Sequence, residues 1–307
     1  MGTISLVKYE FKKEKMNSLY ADYEKAMKSD SKDKSKFPDF LYTQTIKDIK
    51  RVKTTLDTEK KNTYTERGLV NEIIDKLKRS KSIDKIKKVN PDNSKALEDY
   101  VKQSFATILS QKLDKWNIRE ITFSEQTGYL QFSLTIDSFE IVEFKDNFTA
   151  IPSSYFATII LEPHQDYIIA YIIGNPTNAS LFRSFIKQLL KDYKMQIIRW
   201  DDQALRKIKE DLSSNLFGLK AKNVEARVTV DAHSENLDNT KIYGDIEAGS
   251  FASITYQMKD LYGGNSISIN GFYGTIKSDI SDDELINYIK EKLLNYSSIT
   301  HTTQDSQ

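Results

Sequence analysis

The sequence predicts an α+β fold: a helix-rich N-terminal region, then a mostly antiparallel sheet with helices packed on one face. Three observations predict it. Leu130, Phe132, Leu134 and Ile136 alternate with Gln131, Ser133 and Thr135, the period of a half-buried strand. Apolar residues recur at helical spacing on both sides of that segment, as Leu69, Val70, Ile73 and Leu77 and as Leu181, Phe182, Phe185 and Ile186. The strand-like runs Tyr155–Leu161 and Tyr167–Ile173 are separated only by a turn sequence, Glu162-Pro163-His164-Gln165, which joins antiparallel neighbours.

In chain order, residues 3–11 read as a strand and about 17–28 as a helix. Ser29 to Lys36 is a charged loop of low complexity. Residues 43–61 carry helical spacing in Ile46, Ile49, Val52 and Leu56 but many threonines. A polar loop follows to Arg67, then an amphipathic helix. Asn90-Pro91-Asp92 breaks the chain, because proline cannot continue a helix. Ser94 is placed to cap a helix over about 95–113, closed by Trp116.

Sheet begins at Ile121 and runs through the two hairpins. Nearly every residue of Tyr167–Ile173 is apolar, so that strand is expected to be covered on both faces. After the Leu181 helix come a short strand over 195–200 and a helix capped by Asp201 or Asp202, with Leu205, Ile208, Leu212 and Leu216 inward. A strand over 224–230 follows. Gly244 to Gly274 holds six of the eleven glycines, with Gly263-Gly264-Asn265 as a hairpin turn. Those glycines suit tight turns and bulges better than a phosphate cradle. Ser281 and Glu284 make a capping box for a last helix. The expected divisions are 1–92, 93–300 and a polar tail, 301–307.

Two segments look alike. Phe156-Ala-Thr-Ile-Ile160 resembles Phe251-Ala-Ser-Ile-Thr255, and the helical run Phe185–Tyr193 resembles Tyr288–Tyr296. Two duplicated hairpin-plus-helix units are one reading, and chance likeness between two amphipathic helices is the other.

Composition excludes several chemistries. The chain of 307 residues has no cysteine, which removes thiol nucleophiles, disulfides and thiolate-held metals. Its three histidines, His164, His233 and His301, are far apart, so no His-rich metal site is expected. No stretch approaches the ~20 apolar residues of a membrane helix, and a secretory leader is not evident. A cytoplasmic protein with no membrane partner is the expectation. Phosphate-binding glycine loops, dinucleotide fingerprints and nucleophile elbows are missing from the sequence. Lys, Ile, Asn and Tyr are frequent while Ala, Gly and Pro are scarce. That usage is typical of AT-rich genomes and suggests a mobile-element or phage-defence setting.

Charge is unevenly spread along the chain. Residues 1–100 hold 24 Lys+Arg against 17 Asp+Glu, a balance of +7, and the remaining residues carry −6 of the net +1. Two basic clusters stand out: Lys47, Lys50, Arg51 and Lys53, and then Lys76, Lys78, Arg79, Lys81, Lys85, Lys87 and Lys88. On a continuous helix Lys78, Lys81 and Lys85 would share a face, with Lys88 following. The first expectation is therefore a non-catalytic binding protein that meets nucleic acid or an acidic protein partner through Lys47, Lys50, Arg51, Lys53, Lys78, Arg79, Lys81, Lys85 and Lys88, without a cofactor.

A second reading is an Mg²⁺-dependent nuclease. Asp137, Glu143 and Lys145 form an Asp…Glu-x-Lys run, with Glu98 and Glu125 upstream; carboxylates would hold the ion and lysine would steady the charge. A third is a structural protein that assembles as a homo-oligomer through its acidic C-terminal part. His164 with Asp166 reads as an exposed turn. His233 with Asp231, Glu235 and Asp238 reads as an acidic loop that would hold a cation weakly. Tyr243, Tyr256, Tyr262 and Tyr273 are candidates for a stacking platform, with sheet packing as the alternative.

Overall fold

The computed structural model describes residues 3–26, 36–86, 89, 92–144, 147–223, 228–259 and 264–298. Its strands are β1 (Thr3–Phe11), β2 (Lys61–Thr63), β3 (Asp114–Phe123), β4 (Leu130–Phe144), β5 (Asn147–Pro163), β6 (Tyr167–Gly174), β7 (Tyr193–Ile197), β8 (Ser213–Asn223), β9 (Val228–His233), β10 (Ser250–Met258), β11 (Ser266–Asn270) and β12 (Thr275–Ser278). The α-helices are α1 (Lys13–Ala26), α2 (Phe37–Thr58), α3 (Glu66–Arg79), α4 (Ser94–Ser104), α5 (Ala106–Leu109), α6 (Ala179–Leu189), α7 (Asp202–Leu212), α8 (Lys241–Glu247) and α9 (Asp282–Tyr288). The fold is α+β, with antiparallel strand pairing.

The chain forms two compact units. The larger comprises residues 1–53, 122–131 and 157–307, and the smaller 54–121 and 132–156. The expected division at residue 92 falls inside the smaller unit, and residues 301–307 lie outside the described residues.

In the larger unit the strand order is β5-β6-β1-β12-β11-β10-β8-β9, and β7 also pairs with β1. The N-terminal strand therefore lies within the sheet, flanked by β6 on one side and by β12 and β7 in succession on the other. Its even and odd residues serve different layers. Ile4 and Leu6 join a core with Leu205 and Ile208 of α7 and Leu285 and Ile289 from the α9 region. Tyr9 points the opposite way, and its hydroxyl donates to the Arg183 carbonyl of α6 at 3.2 Å. Helices thus cover both faces of β1, which is why Val7 and Tyr9 are as fully buried as Ile4 and Leu6.

In the smaller unit the order is β2-β3-β4-β5. Here helices cover one face. Leu69, Val70, Ile73 and Leu77 of α3, Val101 of α4 and Ile108 of α5 pack against Phe139 of β4 and Phe148 of β5. The α3 stripe read from the sequence is the one that is buried. Thr65 caps this helix, its hydroxyl accepting from the Gly68 N–H at 3.1 Å.

Several boundaries differ from the sequence reading. Asn93, not Ser94, caps α4, its side-chain oxygen accepting from the N–H groups of Lys95 and Ala96. The helix ends at Ser104, and Trp116 sits on β3 with its indole N–H donating to the Glu59 carbonyl. Helix α7 stops at Leu212, so Leu216 is a strand residue of β8; Ser213, Ser214 and Asn215 are weak helix formers that favour the change. Asp201 is the α7 cap, accepting from Ala204 N–H at 2.8 Å. Asp202 instead accepts from the Phe251 N–H and the Arg206 guanidinium. The Ser281–Glu284 capping box is present as read.

The matched segments differ in their surroundings. Phe156 is exposed while Phe251 is buried, and β12 intervenes between the second hairpin and α9. Glycine has a positional purpose in the β11–β12 turn. A Cβ on Gly271 would overlap the Trp200 carbonyl oxygen, and one on Gly274 (φ +63°) the Ile198 carbonyl oxygen.

Candidate interaction surface

The first basic cluster lies on α2 in the larger unit. Lys50 forms an ion pair with Glu125. The Arg51 guanidinium reaches Asp48 at 3.3 Å and Asp192 at 3.4 Å. Lys53 is half-buried and also partnered, while Lys47 is exposed. Asp48 is itself almost fully buried and accepts from the Tyr193 hydroxyl at 3.0 Å. Arg51 and Asp48 thus tie α2 to the start of β7, at Asp192 and Tyr193.

The second cluster lies in the smaller unit. Lys76 is half-buried, its ammonium donating to the Phe139 carbonyl at 2.6 Å and the Ser138 hydroxyl at 3.2 Å; burial lowers its pKa. The single helical face expected for Lys78, Lys81 and Lys85 does not form. Helix α3 ends at Arg79, and Lys81 takes a left-handed conformation (φ 55°) that starts a 3₁₀ turn over Ser82–Lys85. Lys85 pairs with Glu143 at 2.7 Å. Lys78, Arg79 and Lys81 are exposed and make no ion pair among the described residues. Lys87 and Lys88 lie outside the described residues.

Folding also redistributes the net charge. The smaller unit contains 16 Lys+Arg against 15 Asp+Glu, a balance of +1, and the larger contains 29 of each. The +7 of residues 1–100 is offset because acidic C-terminal segments share a unit with basic N-terminal ones.

The acidic run on β4 does not converge. Asp137 and Glu143 are six residues apart on one strand, so at about 3.3 Å per residue they stand roughly 20 Å apart, far beyond the reach of one Mg²⁺ with ~2 Å bonds. Asp137 accepts from the Asp114 N–H at 2.7 Å and from the Ser154 hydroxyl at 2.6 Å, pinning β4 to its neighbours. Glu143 faces Lys85, Glu98 faces Lys102, and Glu125 faces Lys50. Lys145 lies outside the described residues. Among the described residues no group of three His, Asp or Glu side chains could hold a metal ion.

The remaining candidates serve local structure. His164 is half-buried rather than exposed: its ring stacks on Tyr167 at 4.6 Å, and burial holds its pKa below the usual value. His233 contacts Asp231 at 3.0 Å on exposed strand β9. The Tyr243 hydroxyl accepts from Lys209 and donates to Glu247, and Tyr256 is buried against the Tyr288 hydroxyl. Only Tyr273 of the described candidate tyrosines is exposed; Tyr262 lies outside them.

No family model, no curated protein and no solved structure matches the chain. Among the described residues no helix is long and apolar enough to cross a membrane.

Proposed function

We propose that the protein is a non-catalytic binding protein that engages a nucleic-acid backbone through the C-terminal end of α3. One observation carries this reading. Lys78, Arg79 and Lys81 form a short exposed edge with no carboxylate partner among the described residues, whereas Lys50, Arg51 and Lys85 are paired. Unpaired surface cations keep their full capacity to displace counterions from phosphates. An arginine between lysines adds a planar fork suited to a phosphate.

The test is salt-dependent binding of a labelled duplex by the full chain. Each neutralised phosphate contributes roughly 0.7–0.9 to the log–log salt slope, so substituting Lys78, Arg79 and Lys81 together by Ala lowers the slope by about 2–3. Substituting the paired Lys50 and Lys85 leaves it nearly unchanged. Absence of binding at low salt, or a slope that the triple substitution does not move, defeats the proposal.

A further inference from the structure

A cavity of about 430 Å³ opens within the larger unit, over the face of β1 that carries Tyr9. Its floor is Ser5 and Thr275, which are paired neighbours on β1 and β12. One wall is the start of α6, with Thr177 and Arg183; the other is the β11–β12 turn, with Asn270 and Tyr273. Among the described residues no carboxylate lines it. A second cavity, near β1's C-terminal end, is different: charges of both signs line it, Lys12, Lys13, Lys187 and Lys194 with Glu10, Glu14 and Asp166.

Two side chains in the 430 Å³ cavity lack a partner. The Arg183 guanidinium is half-buried, yet among the described residues it makes no hydrogen bond and no ion pair. Burial lowers its pKa, as for a cation whose compensating charge is absent. Its backbone is fixed, because the Tyr9 hydroxyl donates to the Arg183 carbonyl. Ser5 is only 2% exposed, and its hydroxyl makes no hydrogen bond among the described residues. Both backbone edges of Ser5 are in ladders, opposite Ile172 and Thr275, so the side chain is what it presents to the cavity. A strand this apolar would otherwise favour a hydrocarbon there.

The other walls are also rich in donors. Thr177, Thr275 and Tyr273 contribute hydroxyls. Asn270 already accepts the Tyr273 N–H through its side-chain oxygen at 3.1 Å, which leaves its amide NH₂ free to donate. The Asn178 side chain makes no capping bond at the start of α6, whereas Asn175 accepts the Thr177 N–H at 3.0 Å in the turn just before it. Tyr273 is 62% exposed, and its ring is braced edge-on by Phe272 at 5.0 Å. A volume near the lower end of the small-molecule range excludes a polymer from the interior.

We propose that this cavity binds a small organic oxyanion, a phosphate monoester or a carboxylate. Its charged end lies between the Arg183 guanidinium and the Ser5 hydroxyl, and its body lies against Tyr273. The inference does not depend on the α3 edge.

Calorimetric titration of the full chain with inorganic phosphate, acetate and adenosine 5′-monophosphate tests it. Saturable binding of phosphate or of acetate is expected, and the arm that binds identifies the anion class. A hydrogen bond to a charged group is worth about 1.5–3 kcal/mol, so Arg183→Met weakens binding at least about tenfold; Ser5→Ala weakens it less. Tyr273→Ala weakens the nucleotide arm and spares the inorganic one. Because the guanidinium has no protein partner, Arg183→Met keeps or raises the melting temperature without ligand. Failure of all three probes to bind at about 10 mM, or binding unchanged in Arg183→Met, overturns the site. A lowered melting temperature in Arg183→Met assigns the guanidinium a structural role and also overturns it. Nucleotide affinity unchanged in Tyr273→Ala overturns the placement of the ligand body.

Discussion

Replacing Gly274 by alanine perturbs the β11–β12 turn in two separable ways. The residue has φ +63°, where a Cβ costs about 1–2 kcal/mol through contact with the following carbonyl. The new methyl would also fall within the van der Waals envelope of the Ile198 carbonyl oxygen. That atom belongs to backbone and cannot rotate away, so relief requires a main-chain shift costing about 1–3 kcal/mol more. The total is about 2–5 kcal/mol. For a cooperative unit of about 200 residues each kcal/mol lowers the melting temperature by about 2–4 °C, so a drop of roughly 5–15 °C is expected. Gly264→Ala is the control: its φ is +94°, but among the described residues nothing lies within 4 Å of the added methyl. Thermal unfolding followed by circular dichroism compares the two. If both variants melt within about a degree of each other, the close approach at Ile198 is not what requires glycine, and the argument for the turn fails.

Two further outcomes follow from the buried polar groups of the larger unit. Asp48→Ala strands the buried Tyr193 hydroxyl and removes the anion beside Arg51, and should cost about 2–4 kcal/mol; Tyr193→Phe should cost less, and the double variant less than the sum, as a denaturant-melt cycle would show. A strictly additive cycle would sink that account. Alkaline stability is the other. Burial raises the pKa of Tyr9, Tyr171, Tyr193 and Tyr256, and pushes Tyr129 and Tyr296 up to about 12. The unfolded chain then releases these protons first, so stability is intact below about pH 10 and is lost as pH climbs through 10 to 12 and beyond. Tyrosinate absorbance measured beside circular dichroism should show part of the seventeen tyrosines ionising only with unfolding. Complete titration near pH 10 with the fold intact would contradict it.

Much of the local structure was legible because its causes are local. The alternation at Leu130–Ile136, the α3 stripe and the Ser281 capping box depend on residues within a few positions of each other, and each appears where its pattern placed it. Neighbouring choices were less legible. Asn93 and Ser94 are both good caps, and only the backbone path decides between them. Serines can end a helix or merely weaken it, so the passage from α7 into β8 at Ser213 was not evident. The excess of cations in the first hundred residues was legible as composition but not as a surface. Glu125 and Asp192 are far from Lys50 and Arg51 in sequence and adjacent to them in space.

The sequence by itself determined the α+β class, the absence of thiol chemistry and the apolar faces of several elements. Those properties follow from residue type and from spacing along one helix or strand. Tertiary structure alone decided which charges are neutralised, that Asp137 and Glu143 stand apart, and that Ser5, Arg183 and Tyr273 line one cavity. Those three residues come from a strand, a helix and a turn separated by more than a hundred positions at one step and nearly as many at the next. Electrostatic pairing and enclosure depend on distance through space, and only chain closure brings such residues together.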